Sequence, residues 1–355
     1  MTIKPGAFRF NTDSMKLEIF RGSANYNGSA SMAGIGTLAA GQWEEIQATS
    51  PEIQTGGTRG LFGGGETPGL TDRIDYINVS ITGNAIDFGD LSATRRNLKS
   101  TSDRTRLIFT GGYTSGPAVV YNLLEFVSVA STGDVTDFGD LTQARSRHAG
   151  FSSSTRGFAV GGMSSPSPTT ESDVIDFVTI QSTGNAVDFG NMSSARLGPS
   201  GAQSPTRGLI FGGLDSEERN IIEYVTMSTQ GNTADFGDLS NDSSQGTAGS
   251  NAVRAIAGSG YISPGTSTTE MQYVTIATLG NAVEFGDLAQ NHIECGEGAC
   301  SPTRIAIPGS FTSNNNPSDT IEYAQIMSTG DFIDFGNLTT NNNGTSGGSN
   351  GHGGL

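Results

Sequence analysis

The stretch STGDVTDFGDL, residues 131–141, returns almost unchanged as STGNAVDFGNM at residues 182–192. Looser copies extend the series, so that an Asp/Glu-Phe-Gly core begins at Asp87, Asp137, Asp188, Asp235, Glu284 and Asp334. The spacings are 50, 51, 47, 49 and 50 residues. Self-similarity at a fixed period of this length marks a stack of supersecondary units, none of which buries its own apolar surface alone.

Each core has the same neighbours. Four residues upstream a glycine precedes Asn or Asp: Gly83-Asn84, Gly133-Asp134, Gly184-Asn185, Gly231-Asn232, Gly280-Asn281 and Gly330-Asp331. Such pairs suit positive φ and predict hairpin turns. Before each turn lies a strand-like run, such as IDFVTI from Ile175. Earlier still, an arginine opens a short apolar run that reaches glycine: Arg59, Arg106, Arg156 and Arg207, with degraded copies at Arg254 and Arg304. A polar stretch such as ARSRHAGFSSS, residues 144–154, separates one copy from the next. This gives four short strands per repeat and no sustained helical period, so the class is all-β. In the third strand Ile175 and Phe177 sit on one side, Val178 and Ile180 on the other. A sheet apolar on both faces is covered on both faces, as blades around an axis are. The expectation is a six-bladed β-propeller. An open solenoid is the alternative, but it needs polar caps that the sequence lacks.

Composition sets bounds. Glycine supplies 51 of 355 residues, charged residues only 15%, and the net charge is −16. That balance argues against nucleic-acid or anionic-membrane binding. No apolar run is long enough for a membrane helix, and MTIKPGAFRF has no secretory apolar region. Two cysteines make neither a disulfide framework nor a four-cysteine zinc site.

The order of arginine, apolar strand ending in double glycine, aromatic-bearing strand, turn and last strand resembles the kelch motif, from about Thr58 to Leu338. The double glycines are assigned as Gly63-Gly64, Gly111-Gly112, Gly161-Gly162 and Gly212-Gly213. The chain departs from standard kelch repeats at the fourth-strand Trp, replaced by Phe88, Phe138, Phe189, Phe236, Phe285 and Phe335. The wording TRG-FGGG with STGNA-DFGDL resembles a kelch-like subfamily of tailed bacteriophages, especially those of marine cyanobacteria. The N-terminus resembles a short hairpin of phage fibre and virion proteins through Gly6, Phe8, Arg9, Phe10, Asn11, Thr12, Asp13, Lys16, Leu17, Glu18, Phe20, Gly22 and Trp43, with a Gly/Ser/Ala-rich insertion from Ser23 to Ala40. The resemblances imply a virion protein present in many copies. In it, residues 1–55 are an attachment segment (Phe8, Phe10, Leu17, Phe20, Trp43) and residues 56–355 the propeller. Asn343 to Ser349 is expected to return to the first blade and pair beside Leu61.

Chemistry-bearing residues are few. The Asp-Phe-Gly strings are not a kinase signature, because the companion motifs are missing and a catalytic aspartate does not recur six times. The glycine runs lack the context of a phosphate loop. Sialidase-type glycosidases carry Asp-boxes ending in Trp, and this chain has one Trp, outside the repeats. No catalytic residue, metal or cofactor is assigned. His292, Cys295 and Cys300 could form a metal site only with a fourth ligand of known spacing. Whether Cys295 and Cys300 are bonded stays open.

Loops between second and third strands share one face, where Tyr113, Tyr121, Tyr261 and Phe311 either stack on a bound sugar or protein or tuck under their own loops. Each arginine that opens a second strand is expected to meet a carboxylate, from Asp75, Glu125, Asp176, Glu223 and Glu322 or from the fourth-strand acids. The expected function is non-enzymatic: binding other virion proteins, and a host-surface glycan or protein through the loops. A carbohydrate-active propeller enzyme or lectin is the alternative.

Overall fold

The computed structural model describes residues 7–11, 16–21, 42–45 and 59–355, except 67, 167–168, 263–265, 295 and 312–315. The chain divides into two units, Met1–Pro51 and Glu52–Leu355. In the first, Phe8–Asn11, Lys16–Arg21 and Gln42–Glu45 form a three-stranded antiparallel sheet. Phe10 lies opposite Leu17, Phe20 opposite Trp43, and Phe20 is buried. Of Phe8, Phe10, Leu17 and Trp43 only the backbone is described.

The second unit is a six-bladed β-propeller. Blade 3 shows the pattern: Ala149–Ser152 innermost, then Arg156–Val160, Val174–Thr179 and Val187–Asn191 outermost, all antiparallel. Blades 2, 4, 5 and 6 repeat it. Blade 1 draws on both ends of the chain. Its outer three strands are Arg59–Gly63, Arg73–Asn78 and Ile86–Asp90, and its innermost strand is Ser346–Ser349, with Ser346 opposite Gly63 and Ser349 opposite Gly60. This strand falls inside the 343–349 stretch named from the sequence.

The cores lie between blades. Ile175 and Phe177 pack with Ile210, Val225 and Met227 of blade 4, whereas Val178 and Ile180 pack with Ile108 and Leu124 of blade 2. The two-faced apolar pattern of the third strand thus becomes burial against both neighbours. The last interface joins Ala299, Ala306, Ile321 and Phe335 of blade 6 to Phe62, Ile77 and Val79 of blade 1.

The repeated Asp-Phe-Gly is a β-bulge. Pairing of the third and fourth strands skips the phenylalanine in every blade, as where Ile175 faces Gly190 but Asp176 faces Asp188. The skipped Phe turns inward and meets the third-strand aromatic edge to face, with centroids 5.9 Å apart for Phe177 and Phe189. The bulge glycine takes φ of 154° at Gly190, a conformation for glycine. A Cβ there would stand 2.4 Å from the carbonyl oxygen of Gly231 in the next blade.

The approach has a purpose, because the Gly-Asn/Asp turn of each blade clasps the bulge of the blade before it. Gly231 N–H donates to the Phe189 carbonyl at 3.0 Å, and Asn191 N–H donates to the Asn232 side chain at 3.0 Å. The same pair of bonds recurs at all six boundaries, including Gly83 to Phe335 at 2.8 Å and Asn337 to Asn84 at 3.1 Å, where the ring closes.

Candidate functional site: the axis, its two ends and the loop face

Apart from Lys99, Phe151 and Gln203, the innermost strands are made of small residues: KSTS, AGFS, SGAQ, TAGS, AC and SGGS. Small side chains let the strands close in around the axis. A cavity of about 20 Å³ lies among them, room for roughly one water molecule. Glu297 is the one carboxylate among the described residues lining it. It accepts from Gly150 N–H at 3.0 Å and lies 3.6 Å from the Lys99 ammonium. Burial pushes its carboxyl up, and Lys99 opposes that shift.

At the end where blades connect, six equivalent residues ring the axis: Asn97, Arg147, Gly198, Gln245, Glu294 and Gly344. All take the left-handed conformation, with φ from 51° to 67°. Their backbones are linked in a chain, Arg147 N–H to Asn97 O, Gly198 to Arg147, Gln245 to Gly198, Glu294 to Gln245 and Asn97 to Gly344, at 2.7–3.1 Å. Arg147 and Glu294 lie three blades apart and form an ion pair of 2.5 Å across the axis. Arg96 adds contacts to Glu294 at 3.4 Å and Glu66 at 2.9 Å.

The opposite end is filled by the chain itself. Beyond Ser349 the residues 350–354 are buried. His352 Nε2 meets the Ser102 carbonyl at 2.8 Å and Ser152 Oγ at 3.2 Å, and Gly353 N–H donates to Ser250 O at 3.0 Å. The turn thus spans blades 2 to 5. Burial lowers the His352 pKa to about 4.

Of the four loop aromatics, Tyr113, Tyr261 and Phe311 occupy equivalent places. Each bridges by backbone to the preceding connection, at Arg96, Ser244 and Ile293. Tyr121 instead lies over the Arg95 guanidinium, 6.0 Å from centroid to carbon. All four are half-buried rather than freely exposed. Tyr113 lies under Arg96 at 5.8 Å. Burial and then Glu294 push the Tyr261 phenol up.

The expected pairing of the six second-strand arginines is corrected. None of Arg59, Arg106, Arg156, Arg207, Arg254 and Arg304 forms an ion pair among the described residues. Each guanidinium lies over the third-strand aromatic, 4.8 Å from Phe177 for Arg156, and donates to a carbonyl of the following blade, Met227 O at 2.9 Å in that case. Carbonyls closing the next blade's third strand are the acceptors within reach. The fourth-strand acids face solvent instead, as at Asp87, Asp188 and Asp334.

The third-strand acids take a different arginine, one unassigned from the sequence. Arg145 pairs with Asp176 at 2.8 Å, Arg95 with Glu125 at 2.6 Å, and Arg196 with Glu223. These arginines are wholly buried. Each sits in the blade-to-blade connection and ties it to the blade that follows; burial lowers Arg145 and Arg196 from their usual range. Elsewhere the arginine is replaced. Ser243 holds the arginine's place where the acid is Gln272, and His292 holds it where Glu322 lies 3.5 Å away. Asp75 is served by Thr339, through N–H at 2.9 Å and hydroxyl at 2.8 Å.

One further assignment changes. The left-handed glycine pair of the first repeat is Gly64-Gly65, one residue later than assigned, because three glycines in a row hide the frame. His292 faces Glu322 and the Pro308 carbonyl, and Cys300 is a buried thiol raised to about 12. Cys295 lies outside the described residues. No protein-family model matches the chain, and no curated protein matches it.

Proposed function

We propose that the chain is a non-enzymatic structural component of a bacteriophage virion, a tail fibre, neck or capsid appendage. In this reading residues 1–55 bind other virion proteins, and the loop face binds a host-surface glycan or protein. The observation that carries a binding role is the sealed axis. One end is crossed by Arg147 and Glu294 and the other is filled by residues 350–354, with space for about one water between. Ligand contact then falls to the outer surfaces. The phage assignment rests on the likeness of the repeats and of the N-terminal hairpin to virion proteins.

Antibody against the propeller, applied to purified particles and seen by electron microscopy, should label one defined position. Absence of the chain from intact particles would overturn the assignment. A chain beginning at Thr55 should fold and fail to enter particles. The lectin or carbohydrate-active alternative draws support from the aromatic–guanidinium set of Tyr113, Arg96 and Tyr261 around the axis. A glycan array distinguishes the outcomes: retained sugar marks a lectin, cleaved sugar an enzyme.

A further inference from the structure

Six copies of one blade supply an internal control, because equivalent positions differ only where something besides the fold selects them. Nine large apolar side chains are exposed among the described residues. Six of them, Leu279, Val283, Met327, Ile333, Ile81 and Ile86, lie in the third-to-fourth-strand turns and the outer-strand starts of blades 5, 6 and 1. Those three blades are consecutive around the ring. The corresponding turns of blades 2, 3 and 4 read Ala-Ser-Thr, Gln-Ser-Thr and Ser-Thr-Gln, from 130, 181 and 228, and their outer strands start at Thr136, Val187 and Ala234. Among those turns and outer-strand starts only Val187 is large, apolar and exposed.

Two clasps bring four of the six positions together. The turn after Met327 is held to the blade 5 bulge by Gly330 N–H on the Phe285 carbonyl, beside Val283. The turn carrying Ile81 is held to the blade 6 bulge by Gly83 N–H on the Phe335 carbonyl, beside Ile333. The result is an arc of apolar side chains at the turn end of half the ring. Single exposed apolar residues need no explanation, but a set gathered in one sector of a repeating scaffold marks an interaction surface.

Charge says what kind of partner fits. Glu284, Asp287, Asp331, Asp334, Asp87 and Asp90 are exposed along the same turns and strands. Partial desolvation and then Asp72, Asp134 and Asp87 push the Asp90 carboxyl up, a mark of crowded negative charge. The basic groups at this end, Arg254, Arg304 and Arg59, are half-buried and committed to the carbonyls of Ile326, Ser80 and Val129. A second copy would set acid against acid. We infer that the arc of blades 5, 6 and 1 docks a protein surface of apolar side chains framed by lysine and arginine. Neither the surface nor its chemistry depends on the virion assignment, and it lies at the opposite end from the loop aromatics.

The test uses the full chain and two synthetic helical peptides, each with a leucine face, one flanked by lysines and the other by glutamates. The lysine peptide should bind saturably at physiological salt, and the glutamate peptide at least about tenfold more weakly. Ile81→Ser with Met327→Ser should weaken the lysine peptide by about tenfold or more, while Val187→Ser leaves it unchanged. All three positions are exposed, so thermal unfolding should stay constant. Equal affinity after the arc substitutions would overturn the proposal. So would self-association in sedimentation that Ile81→Ser abolishes, which would make a second copy the occupant. Binding that appears only after residues 1–58 are removed would assign the arc to the chain's own N-terminal segment and equally overturn it.

Discussion

At the scale of single residues, the repeated glycine and the buried arginine are the positions that matter most. Gly184 and Gly190 have the same φ of 154°, but only at Gly190 does a Cβ meet a neighbour, Gly231 O at 2.4 Å. Gly190→Ala should therefore lose about 2–4 kcal/mol in denaturant unfolding, clearly more than Gly184→Ala, which bears the backbone strain alone. Equal losses would remove the clasp as the reason for glycine. The Arg196–Glu223 pair makes a second test. Arg196→Ser leaves a buried carboxylate unpaired and should cost about 3–5 kcal/mol. Adding Glu223→Gln reproduces the Ser243/Gln272 combination of the next blade, where Ser240 N–H donates to Gln272 at 2.8 Å, and should restore most of the loss. A double variant no better than the single one would contradict the pairing. This arginine is legible in the sequence. It recurs as Arg95, Arg145 and Arg196, and where it is lost to Ser243 the acid is lost as well. The second-strand arginines recur in all six copies, but recurrence shows that a residue is used without showing which group it meets.

At the scale of elements, the innermost strand and the turn beyond it can be removed separately. Deleting residues 351–355 takes away the His352 and Gly353 bonds and should lower the melting temperature by a few degrees. Deleting residues 343–355 also strips the innermost strand from blade 1, leaves the Arg59–Gly63 edge unpaired and should lower it much further. Identical effects would show that the strand pairing contributes little. The turn also has a pH signature. His352 is depressed to about 4 in the folded chain against about 6.5 unfolded, so the unfolded state takes up the proton first as pH falls. Its contribution is present above pH 6.5 and lost progressively towards pH 4, up to about 3 kcal/mol. His148, held well below its usual value, acts in the same direction, and Glu297, raised by burial, acts against both. His352→Asn should flatten the fall in melting temperature between pH 7 and pH 4.5; an unaltered pH profile would place the sensitivity elsewhere. Strand order, turns and the two-faced third strand were legible because each is a pattern within about ten residues. The clasp was not, because its halves lie 41 to 45 residues apart at five boundaries and 253 apart at the closure. Each half has an adequate local reading, as a hairpin turn and as a strand, and neither names the other.

At the scale of the whole molecule, the six turn-to-bulge clasps and the six interblade cores make one ring whose axis is crossed by an ion pair at one end and filled by residues 350–354 at the other. Blade count followed from the repeat, and the two-ended first blade from the leftover polar segment. The asymmetry of the exposed surface became visible only after folding, since turns of different blades look alike until their neighbours are known. Hydrogen exchange at the turn amides tests the closed ring most directly. Gly133, Gly184, Gly231, Gly280 and Gly330 are held by blades that follow one another along the chain, whereas Gly83 is held by Phe335 across the closure. In a closed ring all six amides exchange at similar, strongly protected rates, with Gly83 as slow as the rest. Fast exchange at Gly83 and Ala85, with the other five protected, would contradict closure.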